Sequence, residues 1–569
     1  MGSLLMLQTR GVTPTCRAPS ASAFRCIAHR TPAASLQART LPVAAAPLRS
    51  AARPGARRHP RPPRATEGGP AVGDKEPTME DYLLYWLQAN GSKGLEGDNA
   101  KASLDMGSGG SRGLVAAAAV PAGGEVMRVP IRLAVHAPEP DYPLYPGAPW
   151  SVHLAAKLLR LKAQGTESPW YPYVATLPNP MPTPLTFEWE LMSQIQYSPA
   201  EEELHRFCWL VSDSYQQVQA CGPEAVGNAS REEWEWAMAI VHSRTLGIQR
   251  GSGPRPEEVG ARLLVPQVDL LNHGGDEGPF SRAPVTATDN VRWDVETVDG
   301  AASMVVTATQ DIQEGDELLL SYGERPNDHF FLYYGFVPLR NPHEDAELFE
   351  DLEAALEWHL EAFGDEEAEK RLALAESAYN NCVRGIEESS DGGAAKFEPK
   401  LKVVAGSRVD ARLISAFAGM TLAEAGGGGE AGGEVAAQHL AAAESAVGRR
   451  CVQLLEQYAT SLEDDLALLS EGGWESRRAH YSALLDHYQS VGGAYRALAR
   501  KIVADPRPDR GPVGGGAVGE GGLEPARNIV VEFRAHKKMV LMDSALELTG
   551  TAPPPGFASW EAADAASQA

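Results

Sequence analysis

Lysine, aspartate and glutamate are all missing from the first 66 residues of this 569-residue chain, which carry 11 arginines among many alanines, prolines, serines and threonines; Glu67 is the first acid. Such a segment reads as an organelle transit peptide. Chloroplast is expected over mitochondrion, because proline and small hydroxylated residues interrupt any long amphipathic helix. The alternative is a basic arm that stays attached and binds nucleic acid. Without those 11 arginines, however, the formal net charge of −24 becomes −35. A body so acidic repels polyanions over long distances, so direct nucleic-acid binding is not expected.

Cysteine is scarce as well. Cys16 and Cys26 fall in the arginine-rich segment, and Cys208, Cys221, Cys382 and Cys451 form no CxxC pair. Neither structural zinc nor a disulfide framework is expected, and no metal site. No run reaches the roughly 18 apolar residues that span a bilayer, so no transmembrane segment is expected. A zinc-protease reading fails for want of a His-Glu-x-x-His site. What remains is a chain with 43% apolar and 22% charged residues, long enough for two domains with sizeable cores.

Periodicity divides the rest. Residues 67–78 read as a linker and residues 79–89 as a short amphipathic helix. Apolar stretches at 114–120 and 125–129 flank Pro121-Ala122-Gly123-Gly124, a turn between two strands. Helical spacing takes over from about 140 to 248. There Ser198-Pro199 supplies a cap and a first-turn proline, and Ser230-Arg231-Glu232-Glu233 a capping box. The aromatic residues on these helices are expected in the core. Strands return at 263–268, 291–297, 304–309 and 317–321. Residues 341–550 read as predominantly helical, with glycine-rich breaks at 426–433 and 514–522, and residues 551–569 as a disordered tail.

Three segments carry the chemistry: Asp269-Leu270-Leu271-Asn272-His273-Gly274, then Leu320-Ser321-Tyr322-Gly323-Glu324-Arg325-Pro326-Asn327, then Tyr334-Gly335-Phe336. They set a side-chain amide, an imidazole and two phenols in turns between apolar strands. Their order and spacing resemble the SET-domain protein lysine methyltransferases, and within these the plastid Rubisco large-subunit methyltransferase-like group. That group lacks the cysteine clusters of many histone-directed SET proteins, as this chain does. The resemblance implies an α+β class: a SET domain at 79–340 with short strands, tight turns, a helical insertion and pseudoknot-like threading of its last segments. A helical substrate-binding domain at 341–550 follows.

The implied reaction is methyl transfer from S-adenosylmethionine to a lysine amine. It needs a held sulfonium, a deprotonated amine and a narrow passage between them. By resemblance, Ser111, Arg112, Gly113 and Leu114 pass close to the methionine part of the cofactor, where a missing Cβ eases the approach; Ser111 stands where the family commonly has glycine. Asn272 and His273 match the family's Asn-His, which holds the amino-acid end and meets the adenine; an amide can donate to a carboxylate and accept from an ammonium. Tyr322 is the expected catalytic-centre tyrosine. Tyr334 and Phe336 are expected to line the lysine channel, with an apolar wall that lowers the lysine pKa. Arg244, in Ser243-Arg244, matches an arginine that fixes substrate or nearby backbone, and Asn327 a loop asparagine that shapes the fold.

Partners follow from the same likeness. Rubisco large subunit and plastid aldolase are the candidate protein substrates, the stroma the expected compartment and a monomer the expected state. Between Glu344 and Glu369 there are 12 acidic residues and no lysine or arginine, expected either as a solvated helix surface or as a means of steering a basic, lysine-bearing segment. The substrate-binding domain of the group is also resembled, more loosely, by Phe397-Glu398-Pro399-Lys400, Arg408-Val409-Asp410-Ala411-Arg412, residues 458–465 and Phe533-Arg534-Ala535-His536-Lys537-Lys538. The last of these also resembles a plastid protein of the transcriptionally active chromosome, so a scaffold role in a plastid transcription complex stands as the alternative.

Overall fold

In the computed structural model, residues 77–95, 99–105, 112–137, 144–249, 259–274, 289–298, 300–389, 398–422, 433–504, 506 and 522–551 are described. The arginine-rich segment, the tail beyond 551 and nearly all of both glycine-rich breaks lie outside them.

The helix Met79–Ala89 starts behind a reciprocal cap in which Thr78 Oγ1 accepts from Asp81 N and the Asp81 carboxylate accepts from Thr78 N. Its apolar stripe, Leu83, Trp86 and Leu87, is buried. The turn at 121–124 is closed by Gly124 N donating to Pro121 O at 2.8 Å. The strands it joins nevertheless enter different sheets: Gly113–Ala116 pairs with Ala102–Asp105, and Glu125–Pro130 with Ala301–Ala308.

The central sheet runs in the order Glu125–Pro130, Ala301–Ala308, Val291–Val298, Leu319–Leu320, Asn272–His273. Its first three strands are antiparallel, and Leu319–Leu320 joins both neighbours in parallel. The strand expected at 263–268 instead spans Val259–Leu264. Pro266, which has no N–H to give a ladder, ends it. Gln267 then takes a φ of 73° and the chain enters the 3-10 turn Val268–Leu270. That turn delivers Asn272 and His273 to the sheet, opposite Leu319 and Leu320.

Helices Trp150–Ala163, Ser198–Ala220 and Arg231–Arg244 form the body of the insertion. Ser230 and Glu233 make the capping box in full. Ser198 does not cap: Tyr197 is the N-cap, and its carbonyl accepts from Ala200 N and Glu201 N at 3.1 Å. Trp234, Phe207 and Trp236 are buried, whereas Trp209 is 68% exposed and faces solvent.

The C-terminal part holds a three-stranded sheet that helical periodicity hides: Asp345–Phe349, Leu401–Val404 and Arg408–Val409. The acidic run therefore begins on a strand rather than on a solvated helix, with Glu344 and Asp345 buried. Their partners are lysines, Lys537 at 3.0 Å from Glu344 and Lys402 at 3.1 Å from Asp345.

Two hydrophobic clusters result. One joins the central sheet to the insertion, and the other fills the C-terminal helices while also taking Leu204, Phe331, Leu332 and Val337 from the first part. The helix Pro525–Leu548 runs through the second and is buried on every side. Its charged residues are matched: Arg534 and Lys538 both hold Asp465, at 2.7 and 2.5 Å, and Lys537 holds Asp328 and Glu344.

Candidate active site

Parallel pairing of Asn272–His273 with Leu319–Leu320 sets the Asn-His pair beside Ser321 and Tyr322. Tyr322 N donates to His273 Nδ1 at 3.2 Å, and the two rings lie 5.2 Å apart. The Tyr322 hydroxyl donates to the Leu271 carbonyl at 2.6 Å. Burial pushes this phenol well above its usual range, with the Arg244 charge pulling the other way. It therefore stays protonated at neutral pH, and with its hydrogen committed to Leu271 its oxygen is left to accept.

Around it stands an apolar wall. Tyr334 stacks on Tyr322 with centroids 5.2 Å apart, Phe336 meets it edge-on at 6.4 Å, and Phe330 stacks on His273 at 4.6 Å. Burial holds the His273 imidazole at about 4, so it is neutral in ordinary conditions. Tyr334 is delivered by the π-helical turn Phe330–Tyr334, a geometry that adds a residue to the turn and recurs at functional sites. The turn ends at Gly335, where φ is 75° and a Cβ would lie 2.2 Å from the Pro182 carbonyl oxygen. Only glycine suits that position.

On the far side of His273, Asn272 Nδ2 donates to Glu317 Oε1 at 2.8 Å. Gly113 packs directly against this pair: an added Cβ would lie 2.7 Å from Asn272 Nδ2 and 3.0 Å from Glu317 Oε1. Leu114 is wholly buried, and what it offers is its carbonyl, which accepts from Leu318 N at 2.7 Å. Ser111 lies outside the described residues.

Arg244 holds a buried carboxylate, that of Asp269. Arg244 Nη1 donates to the Asp269 carbonyl at 2.8 Å and lies 3.7 Å from its Oδ2, which also accepts from the Tyr173 hydroxyl at 2.8 Å. Burial raises the Asp269 pKa and Arg244 opposes the rise. Arg112 donates to the Thr176 carbonyl at 2.5 Å and sits 3.6 Å from Glu80, so it ties the start of its strand to two helices. Arg244 Nε is buried with no hydrogen-bond partner.

A cleft of about 1150 Å³ opens on Tyr322, Tyr334 and Arg244. Asn272, Gly113 and Phe336 do not line it, so Phe336, expected in the channel wall, meets the cleft through its edge-on contacts with Tyr322 and Tyr334. The cleft's farther wall comes from the C-terminal sheet. There Lys400 pairs with Glu347 at 2.7 Å and Lys402 with Asp345 at 3.1 Å, while Arg206 on the insertion pairs with Glu203 at 2.6 Å.

The structure thus gathers Asn272, His273, Tyr322, Tyr334 and Phe336, sets Gly113 against Asn272, and gives Arg244 the Asp269 carboxylate while Arg112 turns to Glu80 and Thr176. Sequence reasoning assigned nothing to Asp269, Glu317, Tyr173 or Phe330. Asp269 had one signal, its place at the head of the Asn-His segment; Tyr173 and Glu317 had none, because only folding brings them near. The letters of Gly109-Gly110-Ser111-Arg112-Gly113 also spell the G-x-S-x-G of a hydrolase elbow. They lead into the strand Gly113–Ala116 with no helix after it, so the strand–turn–helix that gives the pattern meaning is missing.

Residues 111–323 match the family model of the SET domain. The chain therefore carries a SET domain, within an α+β architecture that continues into a largely helical C-terminal part. Among solved structures it is similar to the SET domain of LSMT bound to lysine and AdoHcy, with a TM-score of 0.52 at 16% identity over 83% of this chain and 91% of that one. It is similarly close to Rubisco LSMT bound to AdoMet, with a TM-score of 0.51, 16% identity and 84% and 92% coverage. The fold is thus that of the Rubisco LSMT type, C-terminal part included.

Curated relatives match over about a third of this chain. They include the ribosomal lysine N-methyltransferase set10 of Schizosaccharomyces pombe, 26% identical over 32% of this chain and 31% of its own length. SET domain-containing protein 4 of Homo sapiens is 27% identical over 33% and 42%. The actin-histidine N-methyltransferase of Rattus norvegicus is 26% identical over 34% and 30%. The match thus spans less than half the length of each.

Proposed function

We propose that this chain is a protein-lysine N-methyltransferase that uses S-adenosylmethionine and acts in the plastid stroma. One observation carries the reading: a protonated Tyr322 phenol, fixed on the Leu271 carbonyl and stacked with Tyr334, opens on the cleft while its backbone N–H is held by His273, the chain neighbour of an Asn272 packed against Gly113 and Glu317. The residues fit a methionine-type zwitterion. Asn272 can serve both its charged ends, and the absence of a Cβ at Gly113 lets the Asn272 amide keep its place against Glu317. When bound, the cofactor would supply an electrophilic methyl group.

The chain's own residues do the rest. The Tyr322 oxygen accepts from the incoming amine and aims its lone pair. Tyr334, backed by Phe336, strips water from the amine, which favours its neutral form below the free lysine pKa of about 10.4. Neutral His273 adds no competing charge. Names among the relatives and solved neighbours support both the cofactor and a protein acceptor, and the arginine-rich N-terminal segment supports the plastid.

The test incubates mature protein with methyl-labelled S-adenosylmethionine and plastid extract, comparing wild type with Tyr322→Phe. A discrete labelled band, at least about tenfold weaker in the variant, with the label recovered as methyl-lysine, is the expected result. Label recovered as methyl-histidine would replace lysine as the acceptor, and an unlabelled extract would remove the activity. The scaffold alternative draws no support from the residues that suggested it, because Phe533, Arg534, His536, Lys537 and Lys538 are all buried.

A further inference from the structure

Two arginines on the cleft have no carboxylate. Arg262, on the strand Val259–Leu264, lies with its guanidinium carbon 4.1 Å over the Trp150 ring, and no hydrogen bond or ion pair restrains it among the described residues. Arg325, three residues after Tyr322, makes one long contact to the Tyr322 carbonyl at 3.4 Å and no ion pair. The other cations of the cleft, Arg206, Arg244, Lys400 and Lys402, are each held by an acid.

Arg262 and Arg325 line the same cleft; burial lowers the Arg262 pKa, the Arg325 charge adds to that, and both arginines oppose the upward push of burial on Tyr334. Neither charge is neutralised by an acid among the described residues, in a chain whose formal charge is −24. Glu324 is exposed next to Arg325 in sequence, yet it forms no ion pair with either arginine.

From this pairing we infer that Arg262 and Arg325 form an anion subsite that takes the carboxylate of an aspartate or glutamate flanking the methylated residue of the substrate. The inference rests on the methyltransferase reading for its choice of partner, a protein segment. Stacking on Trp150 fixes the plane of the Arg262 guanidinium and leaves its N–H edge to meet a carboxylate in fork geometry. Arg325 follows the Tyr322 loop, so a carboxylate held there stands near the acceptor side chain.

The test uses the full chain with S-adenosylhomocysteine and three fluorescent heptapeptides with a central lysine, flanked by glutamate, glutamine or arginine, read by anisotropy at low salt. The glutamate peptide should bind roughly tenfold more tightly than the glutamine peptide, with the advantage shrinking as salt rises. In Arg262→Gln/Arg325→Gln the ratio should fall toward one, and Arg262→Glu/Arg325→Glu should invert the order in favour of arginine. Circular dichroism confirms that the variants fold. Equal affinity of the glutamate and glutamine peptides, including none measurable, overturns the subsite, as does a preference that survives in the double variant. A glutamate peptide that binds as expected but is never methylated would leave the subsite standing and sink the methyltransferase reading.

Discussion

At Gly113 one methyl group separates two outcomes. Its Cβ would press on the far end of the Asn272 side chain and on Glu317 rather than on backbone, so the fold can absorb the change while the amide is turned away. Gly113→Ala should weaken S-adenosylmethionine binding about tenfold, or ~1.4 kcal/mol, with stability changed by only about 0.5 kcal/mol. Calorimetric titration and a thermal melt measure the two. Unchanged affinity would remove Asn272 from the cofactor side. The residues around this glycine illustrate what spacing can reveal. Asn272, His273 and Tyr322 were legible because each sits in a short segment with a recognisable order. Glu317 and Tyr173 were not, because a carboxylate or phenol becomes a partner only when another strand or helix brings an amide or an acid to it.

Two elements position the site. The π-helical turn at Phe330–Tyr334 sends Tyr333 to Glu203, at 2.8 Å, and Tyr334 to Tyr322, and Gly335 closes it against the Pro182 carbonyl. Gly335→Ala combines a left-handed φ with a backbone clash, so it should cost more than the ~1 kcal/mol usual for alanine in that conformation. A drop in the urea midpoint measures it, and a variant of wild-type stability would show that the turn can relax. The helix Pro525–Leu548 acts from the other side, where buried Lys537 binds Asp328 and Glu344. Asp328 lies in the loop between Tyr322 and Tyr334. Removing the lysine leaves buried acids without their cation, so Lys537→Met should destabilise by about 3–5 kcal/mol, measured by chemical denaturation, and loosen that loop. The segment that looked like a docking motif is thus an internal brace. Its charge hid this, since lysines are seldom fully buried unless paired.

Across the whole molecule, buried imidazoles set the response to acid. His242, His273, His329 and His359 are held at about 4 and His480 and His536 at about 3, burial being the main cause in each. Unfolding lets all six bind protons near their free value of about 6.5, so stability falls as pH drops from there toward 4. Glu344, raised to about 8, and Asp543, raised to about 7, act in the opposite sense, because the folded state holds their protons while the unfolded state has released them. The smaller upward shifts of Asp269, Asp328 and Glu532 work the same way as these two. Near pH 6 the imidazoles dominate, so the Tm should fall between pH 7 and pH 5. A flat or rising Tm would mean that these rings are already hydrated in the folded chain.

Local order in the chain determined the Asn-His and Ser-Tyr segments, the capped helices at Met79–Ala89 and Arg231–Arg244 and the SET identity, because those signals are carried by neighbours a few residues apart. Tertiary structure alone decided which strands pair, that the start of the acidic run turns inward onto lysines while the acids from Glu350 on are mostly exposed, that Asp269 holds Arg244, and that Arg262 and Arg325 have no acid partner among the described residues. These are properties of charges and backbone edges whose meaning depends on what lies opposite, and what lies opposite can come from parts of the chain 209 residues away, as with Lys537 and Asp328, or 340, as with Arg534 and the Gln194 carbonyl.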